Sequence, residues 1–429
     1  MNQSANFVEE LRWRGMIQDI MPGTEQALLN GKVAGYIGFD PTAPSLTVGN
    51  LVAIMLLAHF QRAGHKPVIV MGGATGMIGD PSFKSQERPQ MSLETIAINL
   101  DRQKSQFLRF LDFDDPANAA EITNNYDWLG EFKLLDFLRE AGTHLTINYM
   151  IAKDSVKNRM ETGLSFTEFS YQLLQGYDFY HLFKHKNVIL QMGGSDQWGN
   201  ITAGTELIRR MAQGEAFALT SPLLLKADGT KFGKSTEGNV WLDASLTSPY
   251  QFYQFWLNSS DDEAARYIRY FTFLNRHDIE SLETEHAGAP HARVLQRALA
   301  KDLTLRIHGE GELNKAISAS ELLFGEGSLD FLRDCSETDI NQIFDSVPSF
   351  ALTTSLLDDG VDVLTLLSTT TSIFSSKGET RKMIQGGGLS MNKEKLTSPD
   401  LVITREHLLA GRFLVIQKGK KNYYLLSFQ

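Results

Sequence analysis

The 429 residues, 42% hydrophobic and 21% charged, are too many for one ordinary core and, at roughly 150 residues per domain, predict two or three domains. No uninterrupted apolar stretch reaches membrane-spanning length, and the opening MNQSANFVEELRWRG carries acids with no apolar run behind a basic one, so a transporter is excluded and a cytoplasmic protein is expected. The net charge of −10 argues against a chain that coats nucleic acid over its whole surface, yet Ser376 to Lys421 hold ten Lys or Arg against four Asp or Glu, the layout of a small basic module on an acidic body.

In chain order, the apolar run VAGYIGF from Val33 to Phe39 predicts a strand, and DPTAPSLTVGN after it has the Pro, Asp and Gly content of a turn. Leu51 to Ala63 reads as an apolar helix, followed by a second strand, VIVM, which runs into GGATGMIGD. Strand, helix and strand at this spacing make a βαβ unit with a right-handed crossover. A second succession comes later: SFTEFSYQLLQGYDFYHLF as a buried helix, Val188 to Met192 as a strand, Asp196 to Met211 as a helix. Residues 1–245 are therefore expected to form an α/β domain with a doubly wound parallel sheet and an insertion of mixed character near 115–170.

After Pro249 the period becomes helical in QFYQFWLN, EAARYIRYF and HARVLQRALAKDLTLRIHG, which predicts an α-helical domain over 246–350. Residues 351–374, rich in acids, Ser and Thr, read as a linker. Residues 375–429, with GGG at 386–388, read as a small α+β module.

Two glycine-rich matches fail on spacing. GATGMIGD lacks the GxGxxG dinucleotide pattern, and GTKFGKS is one residue short of a P-loop. The single cysteine, Cys335, can form neither an intramolecular disulfide nor a cysteine-rich zinc cage, so a small buried hydrophobe is expected. The histidines show no zinc spacing, and His181 and His185 beside Lys184 and Lys186 read as a solvated helix end.

Six ordered blocks point further: YIGFDPT at 36–42, GMIGDPS at 76–82, TNNYDW at 123–128, YQLLQGYD at 171–178, GGSDQWGN at 193–200 and ADGTKFGKS at 227–235. Together they resemble the class I aminoacyl-tRNA synthetases and, more narrowly, the tyrosyl-tRNA synthetase family. The resemblance covers most of the chain. It implies a Rossmann-like class I catalytic domain whose insertion forms a homodimer interface, with Asn125, Asp127 and Trp128 in the segment that supports the active site, then a helical anticodon-binding domain. It implies a tyrosine–tRNA ligase activity: the amino acid carboxylate attacks the α-phosphate of ATP, pyrophosphate leaves, and tyrosine passes to the 3′-terminal adenosine of tRNA(Tyr). Such a reaction needs positioning and charge stabilisation rather than a protein nucleophile.

By the same resemblance, Thr42, Thr47, Gly49 and Asn50 face the phosphates at a helix N-terminus, where free N–H groups and the dipole favour anions. Asp40 also belongs to the ATP site. Lys231, Lys234 and Ser235 of the KFGKS loop, with Lys84 and Arg88, close over the departing pyrophosphate. Gly194, Asp196 and Gln197, with backbone at Leu223 and Leu224, take the ribose and adenine. Tyr36 and Asp178 bond the phenol hydroxyl, Asp80, Tyr171 and Gln175 take the α-amino group, and Gln197 also belongs to the tyrosine site. Magnesium arrives on ATP, with no metal held by the protein itself. SKGETRKMIQGGGLSMN resembles the S4-type RNA-binding module carried by bacterial-type tyrosyl enzymes, with Lys377, Arg381 and Lys382 as RNA contacts.

The chain departs from the family at the HIGH turn, where it carries Thr47-Val48-Gly49-Asn50. A hydroxyl and an amide still donate hydrogen bonds, and neither depends on protonation. Two rivals stay open on sequence: an RNA-binding relative that has lost ligation, and a ligase for another amino acid such as tryptophan.

Overall fold

The computed structural model describes residues 6–82, 91–153, 156–157, 160, 163–225, 232–235, 238–324, 329–344, 347–419 and 422–429. The chain divides into two compact units, Met1–Thr247 with Phe255–Ile307, and Ser248–Gln254 with His308–Gln429.

The first unit is built on six strands: β1 (Asp19–Ile20), β2 (Ala34–Phe39), β3 (Lys66–Met71), β4 (Glu121–Asn124), β5 (Val188–Gly194) and β6 (Phe217–Ser221). Their spatial order is β1-β6-β5-β2-β3-β4. All neighbours pair in parallel except β1 on β6. The expected doubly wound sheet is therefore present, with one short antiparallel strand at its edge. From β2 the chain winds outward through β3 to β4, then returns to lay β5 on the other side of β2, so the direction of winding reverses between β2 and β5. Loops at the carboxyl ends of strands beside such a reversal diverge and leave a crevice.

Local chemistry explains the elements that flank this crevice. The helix Leu51–Arg62 is apolar on nearly every face and buries Leu51, Ile54, Met55, Leu56, Leu57 and Phe60, as a crossover between two covered strands requires. The helix Phe166–Lys186 begins at Ser165, whose side chain accepts from Glu168 N, and ends at Asn187 in the left-handed conformation. It packs on the helix Trp198–Ala212 where Gly204 stands, since a Cβ there would come within 2.8 Å of Phe179 Cβ. β4 starts at Glu121 and pairs with β3, so the first residues of the expected insertion belong to the sheet. Helices Tyr126–Leu129, Leu134–Glu140 and Ile147–Ile151 follow it.

The helical stretch expected over 246–350 is shared between the two units. Helices Asp261–Phe271 and Arg276–Gly288 belong to the first, and two contacts show why. The buried Arg14 guanidinium donates to the carbonyls of Arg269, Thr272 and Leu274 at 2.6, 3.1 and 2.8 Å. The Phe232 ring stacks on Phe271 at 5.5 Å and meets Tyr267 at 4.9 Å.

The second unit holds a five-stranded sheet in the order Glu394–Lys395, Leu389–Met391, Phe413–Lys418, Asn422–Phe428, Ser349–Leu352. Its central strands alternate with period two. Leu414, Ile416, Leu426 and Phe428 enter one hydrophobic cluster, while Phe413, Val415, Tyr423 and Leu425 enter another on the opposite face. The stretch 351–374, read from its composition as a linker, is instead built into this core. Val363, Leu364, Leu366 and Leu367 recur at helical spacing and are buried in the first cluster.

Candidate active site

A cavity of about 720 Å³ opens at the carboxyl ends of β2 and β5. It is lined by Tyr36, Asp40, Thr42, Gly49, Asn50, Asp80, Tyr171, Gln175, Asp178, Gly194, Asp196, Gln197, Leu223 and Leu224. These come from five separate segments of sequence, and the sheet topology brings them together. Thr47 does not line it. Lys84, Arg88 and Lys231 lie outside the described residues. For Lys234 and Ser235 the backbone alone is described, as a short strand paired with Gly238–Asn239.

The inner end of the cavity is a buried polar network. Asp178, 3% exposed, accepts from Trp128 Nε1 at 2.8 Å and from Asn125 Nδ2 at 2.9 Å. Burial outweighs these two donors and pushes its carboxyl up to about 7. The Tyr36 hydroxyl is buried without a hydrogen-bond partner among the described residues. Burial, reinforced by Asp178, holds its pKa well above the usual phenol range, so it stays protonated. A neutral hydroxyl that can donate or accept, beside a carboxyl that already gathers donors, suits a ligand O–H that can do both.

Asn125 ties this end to the next turn, since Ala74 N donates to its Oδ1 at 2.8 Å and its Nδ2 donates to Thr75 Oγ1 at 2.9 Å. Thr75 Oγ1 in turn donates to Asp40 Oδ1 at 2.8 Å, and Tyr171 donates to Asp40 Oδ2 at 3.0 Å. Gly72 makes that closeness possible, because a Cβ there would lie 2.1 Å from Asp40 Oδ1. A second group surrounds Asp80. Gln197 Nε2 donates to Asp80 Oδ2 at 2.8 Å, and Asn200 Nδ2 donates to Gln175 Oε1 at 3.1 Å and Gln197 Oε1 at 3.2 Å. A negative, hydrogen-bonding shelf of this kind suits an ammonium group.

The outer rim is different in kind. Thr42 and Gly49 are exposed, and the turn Val48–Asn50 leads into the helix Leu51–Arg62, whose first N–H groups favour an anion. Leu224 and Phe232 bracket the lysine-bearing segment, with Phe232 N donating to Leu224 O at 3.3 Å.

Sequence reasoning did not anticipate Gln191, which lines the cavity from β5, 1% exposed, with Oε1 unpartnered among the described residues. A glutamine inside the apolar run VILQM, at the middle of a parallel strand, was the available signal. His181 is not a solvated helix end. Its ring stacks on Trp128 at 4.4 Å and 10°, and burial lowers its pKa to about 4. Cys335 is buried, with its thiol pushed up to about 11. Lys377, Arg381 and Lys382 are exposed on the helix Lys377–Gln385, opposite the buried Thr380 and Ile384.

A crevice at a strand-order reversal, with a helix N-terminus at its rim and an acid-lined inner end, is the layout of a class I synthetase site. The family of class I tRNA synthetases (W and Y) matches residues 29–325, and the tyrosine–tRNA ligase SYY-like C-terminal domain matches residues 339–426. A tyrosine–tRNA ligase of Cytophaga hutchinsonii is 60% identical over 425 residues, covering 99% of each chain. One of Bacteroides thetaiotaomicron is 56% identical over 98% of this chain and 99% of its own. Among solved structures, a C-terminally truncated mitochondrial tyrosyl-tRNA synthetase of Aspergillus nidulans superposes with a TM-score of 0.66 at 32% identity, covering 75% of this chain and 94% of its own. The chain belongs to the class I tRNA synthetases, in the tyrosine–tRNA ligase family.

Proposed function

We propose that the chain is a tyrosine–tRNA ligase, which activates L-tyrosine with ATP to tyrosyl-adenylate and transfers tyrosine to the 3′-terminal adenosine of tRNA(Tyr). The observation that carries this reading is the inner end of the cavity, where the unpartnered Tyr36 hydroxyl and the Asp178 carboxyl, held by Trp128 and Asn125, await a phenol. A tryptophan side chain offers one N–H donor and no acceptor there, which would leave the protonated Tyr36 hydroxyl without an acceptor.

In this reading the tyrosine ring enters between Tyr36 and Asp178, and its ammonium group meets Asp80, Tyr171, Gln175 and Gln197. Its carboxylate then faces Asp40, Thr42, Gly49 and Asn50 at the rim, where the α-phosphate of ATP lies. The nucleoside rests on Gly194, Asp196, Leu223 and Leu224. Lys84, Arg88, Lys231, Lys234 and Ser235 stabilise the departing pyrophosphate, and magnesium enters on the phosphate oxygens of ATP. Attack of the carboxylate oxygen on the α-phosphorus forms one P–O bond as the bond to pyrophosphate breaks. The terminal ribose hydroxyl of the tRNA then attacks the acyl carbon and releases AMP.

The exposed Leu134, Leu135 (77%), Ile147 and Phe166 (75%) support a homodimer through the insertion. The helix bearing Lys377, Arg381 and Lys382 supports a tRNA contact by an S4-like module, through phosphates rather than bases. Among the described residues no helix is long and apolar enough to cross a membrane, and a cytoplasmic setting is part of the proposal.

ATP–pyrophosphate exchange with each of the twenty amino acids, without tRNA, tests the reading. Exchange with tyrosine alone is expected. Exchange with tryptophan in its place would overturn the pocket assignment, and silence from folded protein would favour an RNA-binding relative that has lost ligation.

A further inference from the structure

The turn at 47–50 closes on itself through the side chain of its last residue. Asn50 Oδ1 lies 2.9 Å from Thr47 N and 2.9 Å from Thr47 Oγ1. A backbone N–H can only donate, so the carboxamide atom facing it must be the oxygen, and the orientation of the amide follows from the chemistry. The Thr47 hydroxyl shares that oxygen and must also donate its one proton to it. It therefore has no proton left for a phosphate oxygen, which only accepts. Asn50 Nδ2, by contrast, has two N–H groups and no hydrogen-bond partner among the described residues, and Asn50 lines the cavity while Thr47 does not.

Thr47 is itself held firmly. Its backbone bridges to Trp241, with Val48 N donating to Val240 O at 3.0 Å, Leu242 N donating to Leu46 O at 2.9 Å, and Asn50 N donating back to Thr47 O at 2.9 Å. A residue clamped on the segment 240–242 that grips one end of a carboxamide is placed to aim the other end.

We propose that Thr47 is a positioning residue, which turns the two N–H donors of Asn50 into the cavity, and that Asn50 alone of the pair contacts the phosphates. The proposal rests on the ligase reading and departs from the role that resemblance gives Thr47. The test is a double-mutant cycle on the full chain, with tyrosine-dependent ATP–pyrophosphate exchange as the readout, using Thr47→Val, Thr47→Ser, Asn50→Ala and Thr47→Val with Asn50→Ala. Thr47→Val is expected to lower kcat by roughly 3- to 10-fold, because the backbone N–H still holds Oδ1 and only one neutral hydrogen bond is lost. Thr47→Ser should restore the rate, and Thr47→Val should cost nothing more once Asn50 is alanine. If the two losses multiply, Thr47 reaches the phosphate itself and the proposal falls. A second readout is independent of activity: a crystal structure of Thr47→Val should show the Asn50 carboxamide turned or in two conformers, and a single unchanged conformer would overturn the proposal. Wild-type protein silent with every amino acid would sink the ligase reading, while that crystal structure would still decide the role of Thr47.

Discussion

The two ends of the cavity are built by opposite means. At the inner end, Tyr36, Asn125, Trp128 and Asp178 are buried side chains from the sheet and its neighbouring segments, and hydrogen bonds join Asn125 and Trp128 to Asp178 across some fifty residues of sequence. At the rim, Thr42 and Gly49 are exposed and the surroundings are a turn and a helix N-terminus. Selecting one neutral hydroxyl requires polar groups desolvated in advance, so that a ligand lacking the hydroxyl leaves them unpaired. Stabilising charge that appears only during reaction falls instead to groups that engage it in the transition state without tightening ground-state binding.

The largest expected effect would break this division at the rim. Lys234→Ala should lower kcat for tyrosine-dependent exchange by roughly 100- to 1000-fold, the range for losing one transition-state electrostatic contact, while tyrosine Kd measured by calorimetry changes little. An equal loss of tyrosine affinity would merge the two ends. Next comes the inner end: Asp178→Ala should weaken tyrosine binding by roughly 10- to 150-fold, as for a hydrogen bond to a charged group. Phenylalanine, which never used the carboxylate, should lose far less.

A pH series sharpens the same contrast. Trp128 and Asn125 donate to Asp178, and in the proposed reading the incoming phenol does too, so that binding would favour the ionised carboxyl. With its pKa near 7 in the free protein, tyrosine Kd should fall as pH rises from 6 to 8, by up to about tenfold per proton released. Asp178→Asn should abolish that inflection, and its survival in the variant would assign the titration elsewhere. The sign for folding is the reverse. A carboxyl raised from 3.8 to about 7 stabilises the folded free protein fully below pH 4, and the contribution is lost as pH passes 7. The smallest effect expected is that of Tyr36→Phe, roughly 2- to 10-fold in tyrosine Kd for one neutral hydrogen bond, with kcat nearly kept.

Much of this was legible beforehand. VAGYIGF and VIVM became β2 and β3, the helix Leu51–Arg62 joined them, and the blocks at 36–42, 171–178 and 193–200 converged on one cavity. Period and turn chemistry are local properties, and a strand or helix declares itself within ten residues. The return of residues 255–307 to the first unit was not legible, because it depends on what Arg14 and Phe232 touch. The core role of 351–374 was hidden for a related reason: its Ser and Thr residues mask apolar positions, Val363, Leu364, Leu366 and Leu367 among them, that only a sheet elsewhere in the chain makes useful.

The sequence by itself determined the order of elements, the α/β class and the residue types available for a tyrosine-activating site, since these follow from local pattern and from the matching blocks. Tertiary structure alone decided that Asp178 answers to Trp128 and Asn125, that Gln191 lines the cavity, that His181 stacks on Trp128, and that the Thr47 hydroxyl donates to Asn50. A hydrogen bond has a direction and each proton can be given only once, so the role of a polar residue depends on which groups the fold brings within 3 Å of it.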